Sequence, residues 1–168
     1  MIKEIKYNQY AEKAIEVISN GAFLTTAADG EVNTMTIGWG SIGCVWGKPI
    51  FLVMVRPSRH TYQLIEKSNE FTVSVPLNDM KKALALCGTK SGRDLNKLAA
   101  AGLGTLPGQK ISTPVIAGCG LHYECKIVYK QTMTNKNLSP EIDAVKYSTE
   151  GYHTMYFGEI LATYLEEA

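Results

Sequence analysis

Charge of one sign is scarce in this sequence. Seventeen Lys and Arg stand against sixteen Asp and Glu over 168 residues, a formal net charge of +1. Tracking a nucleic-acid backbone or an anionic membrane surface needs a strong positive field, so this balance argues against both partners. It leaves the binding of one small anion open. Long apolar runs are also missing. The longest aliphatic stretch is Ile50–Val55, far short of the ~20 residues that cross a bilayer as a helix. The N-terminus, Met1-Ile2-Lys3-Glu4-Ile5-Lys6, mixes charges and has no apolar core of a signal peptide. Cysteine is sparse and unpaired in pattern: Cys44, Cys87, Cys119 and Cys125 contain no Cys-x-x-Cys. A reduced, cytoplasmic protein that uses its cysteines as small hydrophobes is expected.

Several catalytic signatures are missing too. There is no Gly-x-x-x-x-Gly-Lys-Ser/Thr loop and no Gly-x-Ser-x-Gly elbow, and three histidines, His60, His122 and His153, give no triad pattern. Gly38-x-Gly40-x-x-Gly43 matches the dinucleotide fingerprint, but that motif works only where a helix follows. Here Cys44-Val45-Trp46-Gly47-Lys48-Pro49 leads into another strand, and no acid lies about 20 residues on. Cys119, His122 and Cys125 suggest a metal site. On a strand the two cysteines share a face and His122 takes the other, so the three cannot converge.

What is present suits a single domain over 1–168. Hydrophobic residues make up 45%, too many for a disordered chain. Tyr7, Tyr10, Ala14, Val17 and Ile18 share one face of a helix that Asn20-Gly21 ends. Strands follow over 22–27 and 32–39, joined by the hairpin dipeptide Asp29-Gly30. Gly38 to Gly43 reads as a loop. Ile50–Val55 reads as a strand buried on both faces. A helix over 60–67 is predicted, with Ser58 as its N-cap. Phe71, Val73 and Val75 alternate with Thr72 and Ser74 as a half-buried strand. Helices are predicted over 79–87 and 94–101, the second closed by Gly102. Leu103 to Pro114 looks irregular, 121–133 reads as a long strand, and 140–147 is ambiguous. A last strand spans 155–165, with Gly158 at a bulge. This order fits a mainly antiparallel barrel with a front helix and inserted peripheral helices better than βαβ units.

Three segments gather glycines, short polar side chains and cations at strand ends. In Arg56-Pro57-Ser58-Arg59-His60-Thr61, a helix start beside hydroxyls and two guanidinium groups makes a phosphate cradle. A capped surface helix with solvated arginines is the plainer alternative. Thr34, Met35, Thr36, Trp39 and Ser41 offer amides, hydroxyls and flat apolar surface together. That mixture suits a heteroaromatic ligand with a phosphate tail, although an ordinary strand connection would show the same residues. The third segment is Gly88-Thr89-Lys90-Ser91-Gly92-Arg93. Arg56, Arg59, Lys90 and Arg93 are expected to converge, concentrating positive charge at one pocket.

Asn33-Thr34-Met35-Thr36-Ile37-Gly38-Trp39-Gly40-Ser41, Val55-Arg56-Pro57-Ser58-Arg59-His60-Thr61, Phe71-Thr72-Val73-Ser74-Val75-Pro76 and Ser91-Gly92-Arg93-Asp94 appear in that order. His153 and Phe157-Gly158-Glu159-Ile160 close the series. Together they resemble the flavin reductase-like proteins with the FMN-binding split barrel, an antiparallel Greek-key barrel, and most closely the flavoredoxin group. The resemblance implies a homodimer with noncovalent FMN near the subunit interface. It implies that Asn33 and Thr34 to Ser41 (Met35, Thr36, Trp39 and Gly40 among them) follow the isoalloxazine. Arg56, Ser58, Arg59 and Thr61 would hold the phosphate, with Gly88, Lys90 and Ser91 closing over it. His153 would stand at the reactive face, on the donor or substrate side; a structural strand histidine is the alternative. The implied activity is an FMN-dependent reductase or electron-transfer flavoprotein taking electrons from NAD(P)H or a ferredoxin-type redox protein. A flavin-dependent oxidase of similar fold and a non-catalytic FMN-binding module are the alternatives.

Overall fold

The computed structural model describes residues 1–167. Ten strands and five helices follow in chain order: β1 (Ile2–Glu4), α1 (Ala11–Ile18), β2 (Ala22–Ala28), β3 (Glu31–Ile37), β4 (Ser41–Val45), β5 (Lys48–Val55), α2 (His60–Ser68) and β6 (Glu70–Pro76). After these come α3 (Lys81–Thr89), α4 (Lys97–Ala101), β7 (Thr105–Leu106), β8 (Val115–Ile116), β9 (Gly120–Thr132), α5 (Pro140–Lys146) and β10 (Thr154–Glu166). The main sheet runs β3-β2-β6-β9-β10-β5-β4 with every pairing antiparallel, and β1 extends the free edge of β10. The two edge strands, β3 and β4, are consecutive in sequence and joined by Gly38-Trp39-Gly40. The sheet therefore curls almost back on itself and leaves a seam between β3 and β4: a split barrel.

Turn chemistry sets this path. Asp29 and Gly30 both have positive φ, 53° and 79°, as the two-residue turn between β2 and β3 requires. Trp46 and Gly47, at 54° and 69°, make the same turn between β4 and β5. In β10, Gly158 sits where the register with β9 shifts, and a Cβ there would collide with Phe71 and Cys125. The expected bulge is thus a place where only a hydrogen fits between two packed strands.

The barrel interior is filled by Leu24, Met35, Phe51, Val53, Phe71, Val73, Tyr123 and Tyr156, with Ala14 and Ile18 of α1 packed against them. A second cluster lies outside, where Phe23 of β2 meets Leu84 and Cys87 of α3.

Five expectations change. Ser41–Val45 is a strand rather than part of a glycine loop, because it pairs with Lys48–Leu52 across the Trp46-Gly47 turn. β5 is not covered on both faces, since Leu52 and Met54 are only half-buried. β6 is buried from Phe71 to Pro76 rather than half-buried. Thr72 donates to Pro114 O and Ser74 accepts from Ile116 N–H, so the segment around β8 covers its outer face. The cap position of α2 is Arg59, not Ser58, and no side chain caps it. The helix predicted from Asp94 begins only at Lys97, with Asn96 capping it through Ala99 N–H, and Gly102 (φ 66°) ends it as expected.

Candidate functional site

The seam creates the site. β3 pairs on one side only, with β2, so its outer backbone edge keeps unpaired N–H and C=O groups. A cavity of about 250 Å³ opens along that edge, lined by Met35, Thr36, Ile37, Gly38 and Trp39, and across from them by Met54, Arg56, Arg59, Glu150 and His153. Apolar side chains, free backbone and one imidazole suit a flat heteroaromatic ring with a polar rim.

His153 is 8% exposed, bonds the Tyr147 hydroxyl through Nδ1 at 2.8 Å, and leans against Trp39 with ring centroids 5.4 Å apart. Burial lowers its pKa to about 4, helped by Arg56 and Arg59 and opposed by Glu150. The ring is therefore neutral near pH 7.

A second cavity of about 190 Å³ adjoins the first, and Met35, Arg59 and Glu150 line both. Its walls carry Ser58, Thr61, Ser91 and four cations, Arg59, Lys90, Arg93 and Lys97, against the one carboxylate of Glu150. Their supports are visible. Arg93 Nη1 donates to Ser58 O at 2.9 Å, and Arg59 Nη1 donates to Gly88 O at 3.2 Å. Asn33 Nδ2 donates to the Thr61 hydroxyl at 2.8 Å. The uncapped start of α2 adds free N–H groups at the same wall.

The expected residues divide into groups. Met35, Thr36, Trp39, Arg56, Arg59 and His153 meet in the first cavity, and Ser58, Arg59, Thr61, Lys90 and Ser91 meet in the second. Arg56 does not join the other cations. Its guanidinium donates to Lys146 O and Gly151 O, pairs with Glu150 at 3.1 Å and lies over the Tyr147 ring. It ties down the segment between α5 and β10 instead of lining the cationic cavity. Thr34 turns away, its hydroxyl bonded to Leu24 O and Thr25. Asn33 stands behind Thr61. Gly40 packs on Phe51, and Ser41 lies exposed in β4. Gly88 gives its carbonyl to Arg59 and lets α3 pass close to Thr36. None of these five lines either cavity.

Sequence reasoning missed Lys97, Met54 and Glu150. Lys97 is 5% exposed, although a helical reading gives no reason to place it inside. Glu150 was missed because it lies between the ambiguous stretch 140–147 and the last strand, where the sequence showed no pattern.

One further constellation resembles hydrolytic machinery. Ser74 Oγ lies 3.1 Å from His122 Nδ1, and His122 Nε2 lies 3.2 Å from Glu166. Ser74 and His122 are both fully buried, and Ser74 Oγ already accepts from Ile116 N–H. The set joins three strands and offers no nucleophile to solvent. Cys119 and Cys125 are also buried, and burial pushes both thiols up. Among the described residues, no three ligating side chains converge as a metal site would need.

With fold and cavities in view, comparison with known proteins defines the class. The flavin reductase like domain matches residues 16–168. The chain belongs to that family, whose proteins serve flavin-linked redox chemistry. An uncharacterized protein of Pyrococcus abyssi is 32% identical over 142 residues, 82% of this chain and 69% of that one. The FMN-binding domain of a flavin reductases-like enzyme from Shewanella baltica superposes with a TM-score of 0.71 at 19% identity, covering 98% of this chain and 77% of that one. A flavoredoxin from Methanosarcina acetivorans gives 0.68 at 27% identity, covering 88% and 68%.

Proposed function

We propose that this chain is an FMN-dependent oxidoreductase of the flavin reductase and flavoredoxin type, passing reducing equivalents through noncovalently bound FMN. One observation carries the reading: a cavity where Met35, Trp39 and Met54 meet the free strand backbone of β3 adjoins a cavity lined by four cations. That pairing suits an isoalloxazine with a short tail ending in phosphate. When bound, the flavin supplies the electron chemistry. The chain's own residues bind and orient. Met35, Trp39 and Met54 offer apolar contact to the ring faces. The β3 edge from Thr36 to Gly38 offers backbone donors to the polar rim, where negative charge gathers on reduction. Ser58, Arg59, Thr61, Lys90 and Ser91 hold the phosphate. His153, neutral and fixed by Tyr147, can hydrogen-bond a donor or substrate without adding charge at the ring.

The reading includes a homodimer in the cytoplasm, with NAD(P)H or a redox protein as donor. The exposed apolar side chains of Ile142 and Val145 beside Trp39 support the dimer. A second reading, an enzyme of this fold acting on a small molecule, is favoured by an apolar cavity of about 570 Å³ beneath α5. It shares Trp39 and Met54 with the ring cavity.

Titration of the purified protein with FMN, followed by flavin fluorescence, tests the cofactor. Saturable binding is expected, and its absence overturns the reading. Anaerobic addition of NADH or NADPH then tests the donor: bleaching of flavin absorbance marks a reductase. Bleaching only by a reduced ferredoxin-type protein marks an electron carrier.

A further inference from the structure

Tyr147 and His153 stand between two cavities. His153 lines the ring cavity, and Tyr147 lines the apolar cavity of about 570 Å³ beneath α5. Their hydrogen bond, between the Tyr147 hydroxyl and His153 Nδ1 at 2.8 Å, uses one ring nitrogen. The other, Nε2, has no partner among the described residues, yet it is not one of the polar atoms sealed away from water. It therefore opens on the ring cavity.

A neutral imidazole has one N–H donor and one bare acceptor nitrogen, and the bond made at one fixes the other. Two arrangements satisfy the contact. In the first, the phenol donates to a bare Nδ1 and the ring proton sits on Nε2. In the second, Nδ1–H donates to the phenol oxygen, and the phenol turns its own hydrogen to Met133 Sδ, 3.6 Å away. The first is favoured on two grounds. A thioether is a weak acceptor beside an imidazole nitrogen. The Arg56 guanidinium, 5.0 Å from the centroid of the Tyr147 ring, draws electron density from the phenol and strengthens its O–H as a donor. His153 thus presents a donor to the ring cavity.

Beyond that donor the space is apolar. Met54, Met133, Leu138, Ile142 and Val145 wall the cavity under α5, and its charged lining residues are one acid and one base, Glu141 and Lys146. Lys146 Nζ already lies over the Trp39 ring at 5.7 Å. One lysine beside one glutamate makes no cradle for the phosphates of a nucleotide. Methionine side chains adapt to the outline of an apolar guest.

We propose that the small molecule taken at this face is a planar, uncharged, largely apolar carbonyl compound. Its carbonyl oxygen accepts from His153 Nε2–H, and its apolar body lies under α5 against Met54 and Met133. Tyr147 is the positioning residue that makes His153 a donor. This rests on the second reading above, an enzyme of this fold acting on a small molecule, and names that molecule's chemical class.

The first test reads the tautomer in the wild type by two-bond proton–nitrogen correlation of the imidazoles. The chain has three histidines, and loss of one signal set in His153→Gln assigns the third. Protonation at Nε2 alone is expected. Protonation at Nδ1 overturns the proposal. In Tyr147→Phe both tautomers are expected; an unchanged single Nε2–H form overturns the role of Tyr147.

The second test compares acetophenone with α-methylstyrene, which has the same shape with CH₂ in place of the oxygen. Binding to the FMN-loaded protein is followed by the methyl signals of labelled methionines. The ratio of the two affinities cancels the probes' different hydration when wild type and variant are compared. It is expected to fall about fivefold in His153→Leu, as for one lost neutral hydrogen bond, and at least about twofold in Tyr147→Phe. An unchanged ratio in His153→Leu overturns the carbonyl contact. Ile142→Asp, at a half-exposed position, is expected to weaken both probes alike; no loss of either removes the apolar body from under α5. Nicotinamide carries the same carbonyl on a polar ring, and tighter binding of nicotinamide than of acetophenone overturns the apolar class in favour of a nucleotide donor. If the chain binds no FMN, the flavin reading fails, while the tautomer and the probe ratio, read on the flavin-free chain, still decide this proposal.

Discussion

The Tyr147 hydroxyl and the Nδ1 atom of His153 are 2.8 Å apart, both side chains are buried, and Arg56 lies over the tyrosine ring. This contact joins the end of α5 to the start of β10 and fixes the imidazole at the ring cavity. The ring has an acid-side consequence. Its folded pKa is about 4, below the ordinary 6.5. Between those values the unfolded chain binds a proton that the folded one refuses, so stability rises with pH through that window and is lost as pH falls through it. His122, depressed chiefly by burial, acts in the same direction. Urea titrations of wild type and His153→Gln at pH 7 and pH 4.5 measure it. The wild type is expected to lose more stability than the variant, by on the order of 1 to 2 kcal/mol, since water reaches the cavity wall and weakens the effect. Equal losses would place the acid sensitivity elsewhere.

Arg56 and Arg59 stand three residues apart and are expected to fail differently. Arg59 lines both cavities, so Arg59→Ala should weaken FMN about 10- to 100-fold and riboflavin little, by loss of a charge-assisted contact. Arg56 holds Lys146 O, Gly151 O and Glu150. Arg56→Ala should weaken FMN and riboflavin together, because it loosens the wall that carries Tyr147 and His153. It should also cost about 1 to 3 kcal/mol of stability. Flavin titrations and thermal melts of the two single variants read this split.

Gly92 is predicted to be intolerant of any side chain. A Cβ there would run into the Asn33 side chain and the His60 ring. Asn33 supports Thr61, and His60 opens α2, so the collision reaches two walls of the cationic cavity. Gly92→Ala should lower FMN affinity by about tenfold, as for overpacking of 1 to 3 kcal/mol, with strand content by circular dichroism unchanged. Wild-type affinity would show that the loop can shift at no cost to binding.

Local chemistry made much of this molecule legible. Asp29-Gly30 gave the first hairpin, the interval 121–133 gave β9, and Gly158 gave the bulge, because each signal acts within a few residues. The strand Ser41–Val45 stayed hidden since its turn uses Trp46 in the left-handed region, which no dipeptide rule anticipates. Thr72 and Ser74 alternate as outward residues, but a distant irregular segment folds over them. The candidate site shows the same division. Arg59 was visible as a cation at a helix start beside hydroxyls, and Lys90 and Ser91 as polar residues beside glycines. Arg56 has the same local signature, yet the carbonyls that claim it lie 90 and 95 residues away. Lys97 faces inward only because α3 and α4 pack together around the cavity.

Glu124 shows how such long-range closure is held. It lies in β9 and is fully buried, with its carboxylate accepting from the N–H groups of Gln109, Lys110 and Ile111 and from the Tyr164 hydroxyl at 2.6 to 3.2 Å. Those three N–H groups belong to an irregular segment with no ladder of its own, so the carboxylate takes the place of a strand partner. In the same segment Gly108 passes so near Ile111 O that a Cβ would collide with it, which helps turn the N–H groups toward one acceptor. Glu124→Ala leaves three donors and a phenol without partners, each costing about 1 kcal/mol or more when kept from water. The expected loss is about 3 to 5 kcal/mol, a large part of a domain's usual stability. Glu124→Gln keeps one acceptor oxygen but turns an amide N–H₂ toward backbone donors, so it should recover less than half of the loss. Urea midpoints of the three proteins measure this, and FMN affinity of the folded fraction should be unchanged because the carboxylate lines neither cavity of the candidate site. A loss under 1 kcal/mol for the alanine variant would mean that water replaces the carboxylate on those donors.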